Sequence, residues 1–189
     1  MEMILVILAY IIGSIPSGYL IARLYGIDIR EHGSGNIGAT NVARILGTKF
    51  FFIVFFLDFI KSYLFIAMMQ TLGASSMSVM LGGLALIFGN GCSIFLNFKG
   101  GKAVATSCGV VAAWNPLLVL LVFIPWILIL LITKRVGIAS GAGYIALPIC
   151  AAFLANAAML VPCTLLISSW GLYLHRSNIR EFLASSASF

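Results

Sequence analysis

Long apolar runs alternate along this chain with short connectors of glycine, small polar and basic residues. The runs occupy positions 3–24, 50–72, 77–98, 103–114, 116–133, 138–155 and 157–174. At about 1.5 Å per residue, a helix of roughly 20 residues crosses some 30 Å of hydrocarbon. The pattern therefore predicts membrane-spanning helices, with run 103–114 too short to cross and expected as a half-helix or a tilted piece. The apolar residues run continuously instead of alternating, which excludes a transmembrane β-barrel. Breakers mark the joints: "TLGASS", "FKGG", "WNP" and "VGIASGAG". Pro162 predicts a kink within the last run. The first run lacks a basic leader and is long enough to span, so it is expected as a retained helix and not a cleaved signal peptide.

Composition agrees. Hydrophobic residues make up 62% of the chain and charged residues 8%, with a mean hydropathy of +1.14. That leaves too few polar side chains to cover a soluble domain. The expected fold class is an all-α polytopic membrane protein, one integral-membrane domain over residues 1–189. Basic residues set the orientation. Arg23, Arg30, Arg44 and Lys49 flank the first connector, Lys99 and Lys102 the third, Lys134 and Arg135 the fifth, and Arg176 and Arg180 the tail. The connectors near Gly73, Asn115 and Asn156 carry no Lys or Arg. This alternation predicts about seven transmembrane helices, some short or broken, with the N-terminus outside and the C-terminus cytoplasmic. Six crossings would put basic clusters on both faces. Most of the net charge of +6 then faces the cytoplasm, where attraction to anionic head groups explains Lys49, Lys134 and Arg135 without further help.

That attraction does not explain the glycines and small polar residues around the other basic side chains. "HGSGNIGATN" holds Gly33, Gly35 and Gly38, with Ser34, Asn36, Thr40 and Asn41 between them. Glycines allow consecutive backbone N–H groups to converge as an anion-binding nest. A short helix from Gly38 to Leu46 would aim its N-terminus at the same anion, and Arg44 would supply a guanidinium fork. No strand precedes the loop and no Gly-Lys-Ser/Thr ends it, so it is neither a Rossmann nor a P-loop element. Glycine spacing alone does not separate such a cradle from an ordinary interhelical loop. "NFKGGKAVAT" repeats the theme: Lys99 and Lys102 bracket Gly100 and Gly101 just before an apolar half-helix. "HRSNIR", from His175, and "GIASG", around Ser140, fall on the same predicted face.

Asp58 and Lys61 lie inside the second run at i and i+3, on one helical face. Ionisable groups at that depth pair or line a polar cavity, so the pair is either a structural bridge or a support for the loop below it. The acidic residues number five, without a paired-carboxylate spacing, which disfavours two-metal phosphoryl or lipid hydrolysis. There is no G-x-S-x-G elbow. His32 and His175 are the only histidines, and a lone histidine near a membrane surface is more often a packing or hydrogen-bonding residue than a base. The four cysteines stand singly in apolar context and form neither a metal motif nor a disulfide framework. No metal or cofactor is implied.

Five segments, "GSIPSGYLIA" (13–22), "GSGNIGATNVARILG" (33–47), "DFIKS" (58–62), "FKGGKAVAT" (98–106) and "HRSNIR" (175–180), closely resemble the bacterial PlsY family. That family comprises the acyl-phosphate:glycerol-3-phosphate acyltransferases of the bacterial inner membrane. The motifs run in the family's order from first span to tail. The resemblance implies transfer of a fatty acyl group from acyl phosphate to the 1-hydroxyl of glycerol 3-phosphate, yielding lysophosphatidic acid and phosphate at the entry to phospholipid synthesis. It implies catalytic roles for Ser34, Arg44, Lys102, His175 and Asn178, holding the two phosphates and polarising the acyl carbonyl. Substrate or phosphate contacts are expected from Gly33, Gly35, Asn36, Gly38, Thr40, Asn41, Lys99, Gly100, Gly101 and Ser140. Partners would be the two small-molecule substrates and membrane lipid, with no nucleic acid. The chain departs from the family in three places: Asn90 stands where a histidine is usual, Ala103 where a glycine is usual, and "RVGIASG" matches only loosely. Asn90 argues against an essential base at that position. A small anion or phosphate-ester transporter is the alternative, though its outer connectors would offer only Ser75, Ser76, Asn115 and Asn156. A non-catalytic scaffold would leave the pairing of glycine with basic residues unexplained.

Overall fold

Helices form along each predicted apolar run, but two joints differ from expectation: "VGIASGAG" lies inside the helix Val136–Ala152 instead of at a joint, and the helix Ser76–Gly91 stops short of "FKGG". The computed structural model describes residues 1–154 and 157–186. The connector at Asn156 and the end of run 138–155 lie outside the described residues. The chain divides into two compact units, Met1–Trp114 and Asn115–Phe189. In the first are α1 (Glu2–Ser14), α2 (Ser17–Leu24), α3 (Ala39–Leu46), α4 (Lys49–Thr71), α5 (Ser76–Gly91) and α6 (Val104–Trp114). The second contains α7 (Pro116–Thr133), α8 (Val136–Ala152), α9 (Ala157–Leu174) and α10 (Arg176–Ser186).

Pro16 explains why the first apolar run is two helices. It has no N–H to give the ladder and its ring obstructs the preceding turn, so α1 ends at Ser14 and α2 restarts at Ser17. α1 packs on α5 and α4 on α6. Glycines allow these close approaches: a Cβ on Gly13 would strike the Leu86 backbone, and one on Gly109 would meet the Phe59 carbonyl and the Ser62 hydroxyl. Such small-residue contacts are how membrane helices gain packing where lipid removes the hydrophobic drive. In the second unit α8 packs against α7, α9 and α10. Asn115 caps α7, its Oδ1 accepting the N–H groups of Leu117 and Leu118, and Pro116 occupies the first turn, where its missing donor costs nothing.

Among the described residues, four stretches are long and apolar enough to cross a membrane: Glu2–Leu24, Lys49–Thr71, Ser76–Leu96 and Pro116–Thr133. A fifth is counted if α9 and α10, bent by 58°, form one span. α6 and α8 are shorter apolar helices. At 11 residues, α6 covers only about half the hydrocarbon thickness, as its sequence predicts. The helical α10 was not anticipated from the tail sequence.

Candidate active site

The connector between α2 and α3 is folded around one side chain. Asn41, 2% exposed, donates from Nδ2 to the carbonyls of His32 and Asn36, both at 2.9 Å, and more distantly to Ile29 at 3.3 Å. Its Oδ1 accepts the Ser34 N–H at 2.9 Å and Arg44 Nη1 at 3.0 Å. Ser34 and Arg44, far apart in a linear reading, therefore share one acceptor oxygen. Gly33 and Gly35 hold φ of +60° and +69°, a region glycine enters freely. A Cβ on Gly33 would run into Asn41 Oδ1.

Two expectations change here. The N–H groups of Ser34, Gly35 and Gly38 do not converge outward as a nest: they donate to Asn41 Oδ1, the His32 carbonyl and Asn36 Oδ1. Asn41, expected to contact substrate, is buried and saturated by its own loop. What this region does present are the exposed side chains of Ser34 in the loop and of Thr40 and Arg44 on α3, and the N–H groups of Ala39 and Thr40 at the start of α3, which have no acceptor among the described residues. Gly38 sits at the N-cap as expected.

The second glycine connector behaves similarly. The N–H groups of Gly100 and Gly101 donate to the carbonyls of Gly91 and Asn90 at 3.1 and 2.9 Å, closing the end of α5. Gly100 is required by proximity, since a Cβ there would strike the Asn90 carbonyl. So these two glycines shape the connector through protein contacts; of the lysines that bracket them, Lys99 is exposed and Lys102 half-buried. Asn97, Phe98 and Ala103 hold φ of 51°, 60° and 57°, strained for residues with a Cβ. At Ala103 a glycine would hold the same φ without that strain. The two connectors touch: a Cβ on Gly101 would lie 3.5 Å from Ile37 Cγ1.

A basic platform adjoins the first connector and was missed in the sequence. Asp28 accepts Arg23 Nη2 at 2.7 Å and Arg30 Nη2 at 2.6 Å, and both guanidinium groups lie over the Tyr19 ring. Hydrogen bonds from Arg30 hold the Asp28 carboxyl well below the usual carboxylate range, and Asp28 in turn raises Arg30. His32 Nδ1 lies 2.9 Å from the Asp28 carbonyl, fixing the same corner.

In the second unit, Ser140, His175 and Asn178 gather where α8, α9 and α10 meet. Asn178 lies against Gly137 of α8. His175, 2% exposed, places Nδ1 2.8 Å from the Gly171 carbonyl. A carbonyl only accepts, so Nδ1 carries a proton and donates it to Gly171. Ser140 is 4% exposed, its hydroxyl 3.4 Å from Trp126 Nε1. Tyr144, one turn further along α8, puts its ring 5.7 Å from that of His175. It carried no signal in the sequence beyond its i+4 spacing from Ser140.

An all-helical chain of long apolar stretches, with cationic and hydroxyl side chains gathered in its connectors, is a multi-pass integral membrane protein. Its family is equally plain. The family model described as glycerol-3-phosphate acyltransferase matches residues 3–185, and the chain belongs to that family. The glycerol-3-phosphate acyltransferase of Aquifex aeolicus is 39% identical over 180 residues, covering 95% of this chain and 94% of that one. The enzyme of that name from Bacillus velezensis is 42% identical over 181 residues, covering 95% and 93%. Among solved structures, PlsY, an integral membrane glycerol 3-phosphate acyltransferase, matches in its glycerol 3-phosphate form with a TM-score of 0.92 at 38% identity, over 97% of this chain and 92% of that one. Its lysophosphatidic acid form matches over the same shares with a TM-score of 0.90. The resemblance read from the motifs is borne out.

Proposed function

We propose that this chain transfers a fatty acyl group from acyl phosphate to the 1-hydroxyl of glycerol 3-phosphate, giving lysophosphatidic acid and inorganic phosphate. The observation that carries this reading is the chain-long likeness to PlsY structures in glycerol 3-phosphate and lysophosphatidic acid forms. In the reaction, the C1 hydroxyl oxygen adds to the acyl carbonyl carbon. The bond from that carbon to the bridging phosphate oxygen then breaks, and the hydroxyl proton passes to a phosphate oxygen. An acyl phosphate is already activated, so the protein's task is positioning and charge stabilisation.

In the first unit, Arg44 and Lys102 are assigned to phosphate, with the Ser34 hydroxyl and Lys99 beside them. The exposure of Ser34, Arg44 and Lys99, and the shared Asn41 oxygen that holds Ser34 and Arg44 together, support the assignment. In the second unit, Ser140, His175 and Asn178 are assigned to phosphate or carbonyl contacts on the strength of the motif match. The scarcity of carboxylates and histidines favours a substrate phosphate as proton acceptor. About seven crossings, with the catalytic connectors facing the cytoplasm of a bacterial inner membrane, follow from the alternation of basic connectors.

The test is the purified protein in lipid nanodiscs with acyl phosphate and glycerol 3-phosphate. Lysophosphatidic acid and phosphate are expected in equal amounts, with neither formed when glycerol 3-phosphate is omitted. Phosphate release without lysophosphatidic acid would contradict the reading.

A further inference from the structure

The connector chemistry leaves one polar cluster unused, and it lies inside the apolar helices. Asp58, 8% exposed, stands roughly 14 Å into α4 at about 1.5 Å per residue. Its Oδ1 accepts Lys61 Nζ and the Ser17 hydroxyl, each at 2.7 Å. Lys61 Nζ also donates to the Ile15 carbonyl at 2.6 Å. Both outside partners, Ile15 and Ser17, flank Pro16, where the first span breaks. A break at membrane depth frees backbone groups that lipid does not satisfy, and Lys61 answers one of them.

From the break the contacts lead to the connectors. Gly18, next to Ser17, backs onto the Ile37 carbonyl and the Val42 side chain so closely that a Cβ would collide with that carbonyl. Ile37 sits between Asn36 and Gly38 in the loop that carries Ser34 and leads into α3 with Arg44. One turn along α4, the Ser62 hydroxyl reaches the Thr106 carbonyl at 3.1 Å, just beyond Lys102 at the start of α6. A single turn of α4 thus ties both connectors. A buried ion pair is poor value for stability alone, since an apolar pair of the same size commonly does as well.

We propose that Asp58 and Lys61 are positioning residues: by fixing the α1–α2 break they seat the Ile37 loop, and so set the affinity for the phosphate-bearing acceptor. This rests on the reading that the loop binds glycerol 3-phosphate. The variants Lys61→Met, Asp58→Asn, Ser17→Ala and Ser17→Thr, in nanodiscs, test it by three readouts: steady-state kinetics in both substrates, the thermal midpoint, and the rate of trypsin cleavage after Arg30 and Arg44. Lys61→Met and Ser17→Ala are expected to raise KM for glycerol 3-phosphate about tenfold, the equivalent of about one hydrogen bond. KM for acyl phosphate should stay within about twofold, loop cleavage should quicken, and Ser17→Thr should restore both. A lowered midpoint with parental KM and cleavage rates, or an equal rise in both KM values, overturns the proposal. Should Lys61→Met not fold, the milder Ser17→Ala decides. If the parent protein acylates nothing, the functional reading fails, while unchanged trypsin rates in Ser17→Ala would still overturn the brace by itself.

Discussion

Replacing Asn41 with alanine separates a residue that builds the loop from one that touches substrate. The side chain makes three good neutral hydrogen bonds, to the Ser34 N–H and the carbonyls of His32 and Asn36. The contact to the Ile29 carbonyl is longer and shares the same two amide protons. Arg44 is exposed and turns to water at little cost. At about 1 kcal/mol per neutral bond, Asn41→Ala removes about 3 kcal/mol from the loop's closed form, or roughly a hundredfold in its open fraction. Hydrogen exchange at the Ser34 amide reads this directly and is expected to quicken by about that factor. KM for glycerol 3-phosphate rises only to the extent that the open form becomes well populated. Asn41→Asp sets a carboxylate oxygen against the same carbonyls and is expected to open the loop as far. A raised KM with Ser34 exchange within about threefold of the parent would refute the reasoning and return Asn41 to the list of substrate contacts.

Arg44→Ala is expected to raise KM for glycerol 3-phosphate more than it lowers kcat, and Arg44→Lys to recover only part, because an ammonium lacks the two-pronged fork; an unchanged KM sinks the assignment. His175→Ala should lower kcat by about 10²–10³, the usual loss for one polarising group. A fall of many more orders with glycerol 3-phosphate binding intact would make the histidine the base. For pH, Asp28 is held low by Arg30, so its contribution to stability is complete above the ordinary carboxylate pKa of about 3.9. It is lost as pH falls below that toward the depressed folded value. The midpoint gap between parent and Asp28→Asn should therefore be flat near neutral pH and close only in acid; a gap that closes between pH 6 and 8 contradicts this.

The apolar runs made the helices legible, because a continuous apolar segment has few alternatives in lipid. The α6–α7 joint fell where Asn115 and Pro116 put it, since cap and proline act locally. The break at Pro16 is masked because the apolar residues on either side of Gly-Ser-Ile-Pro-Ser-Gly keep the whole stretch long and apolar enough to span. Candidate side chains were legible as types: Ser34, Arg44 and Lys102 carry exposed or half-exposed chemistry in glycine-rich connectors. What the glycines do was not legible. Spacing says that backbone approaches something closely, but for Gly33, Gly100 and Gly101 that something is the protein itself. Asn41 reads as one polar residue among several, and only its five partners reveal it as the loop's centre. Likewise, nothing in the sequence links Ser17 to Asp58, 41 residues away.

A structure of the protein with glycerol 3-phosphate bound tests the central claim most directly. The phosphate is expected against the Arg44 guanidinium and the Lys102 ammonium, within reach of the Ser34 hydroxyl, while the Ser34 and Gly35 N–H groups keep their bonds to Asn41 and His32. A phosphate seated elsewhere, with Arg44 still turned to Asn41 alone, would contradict it.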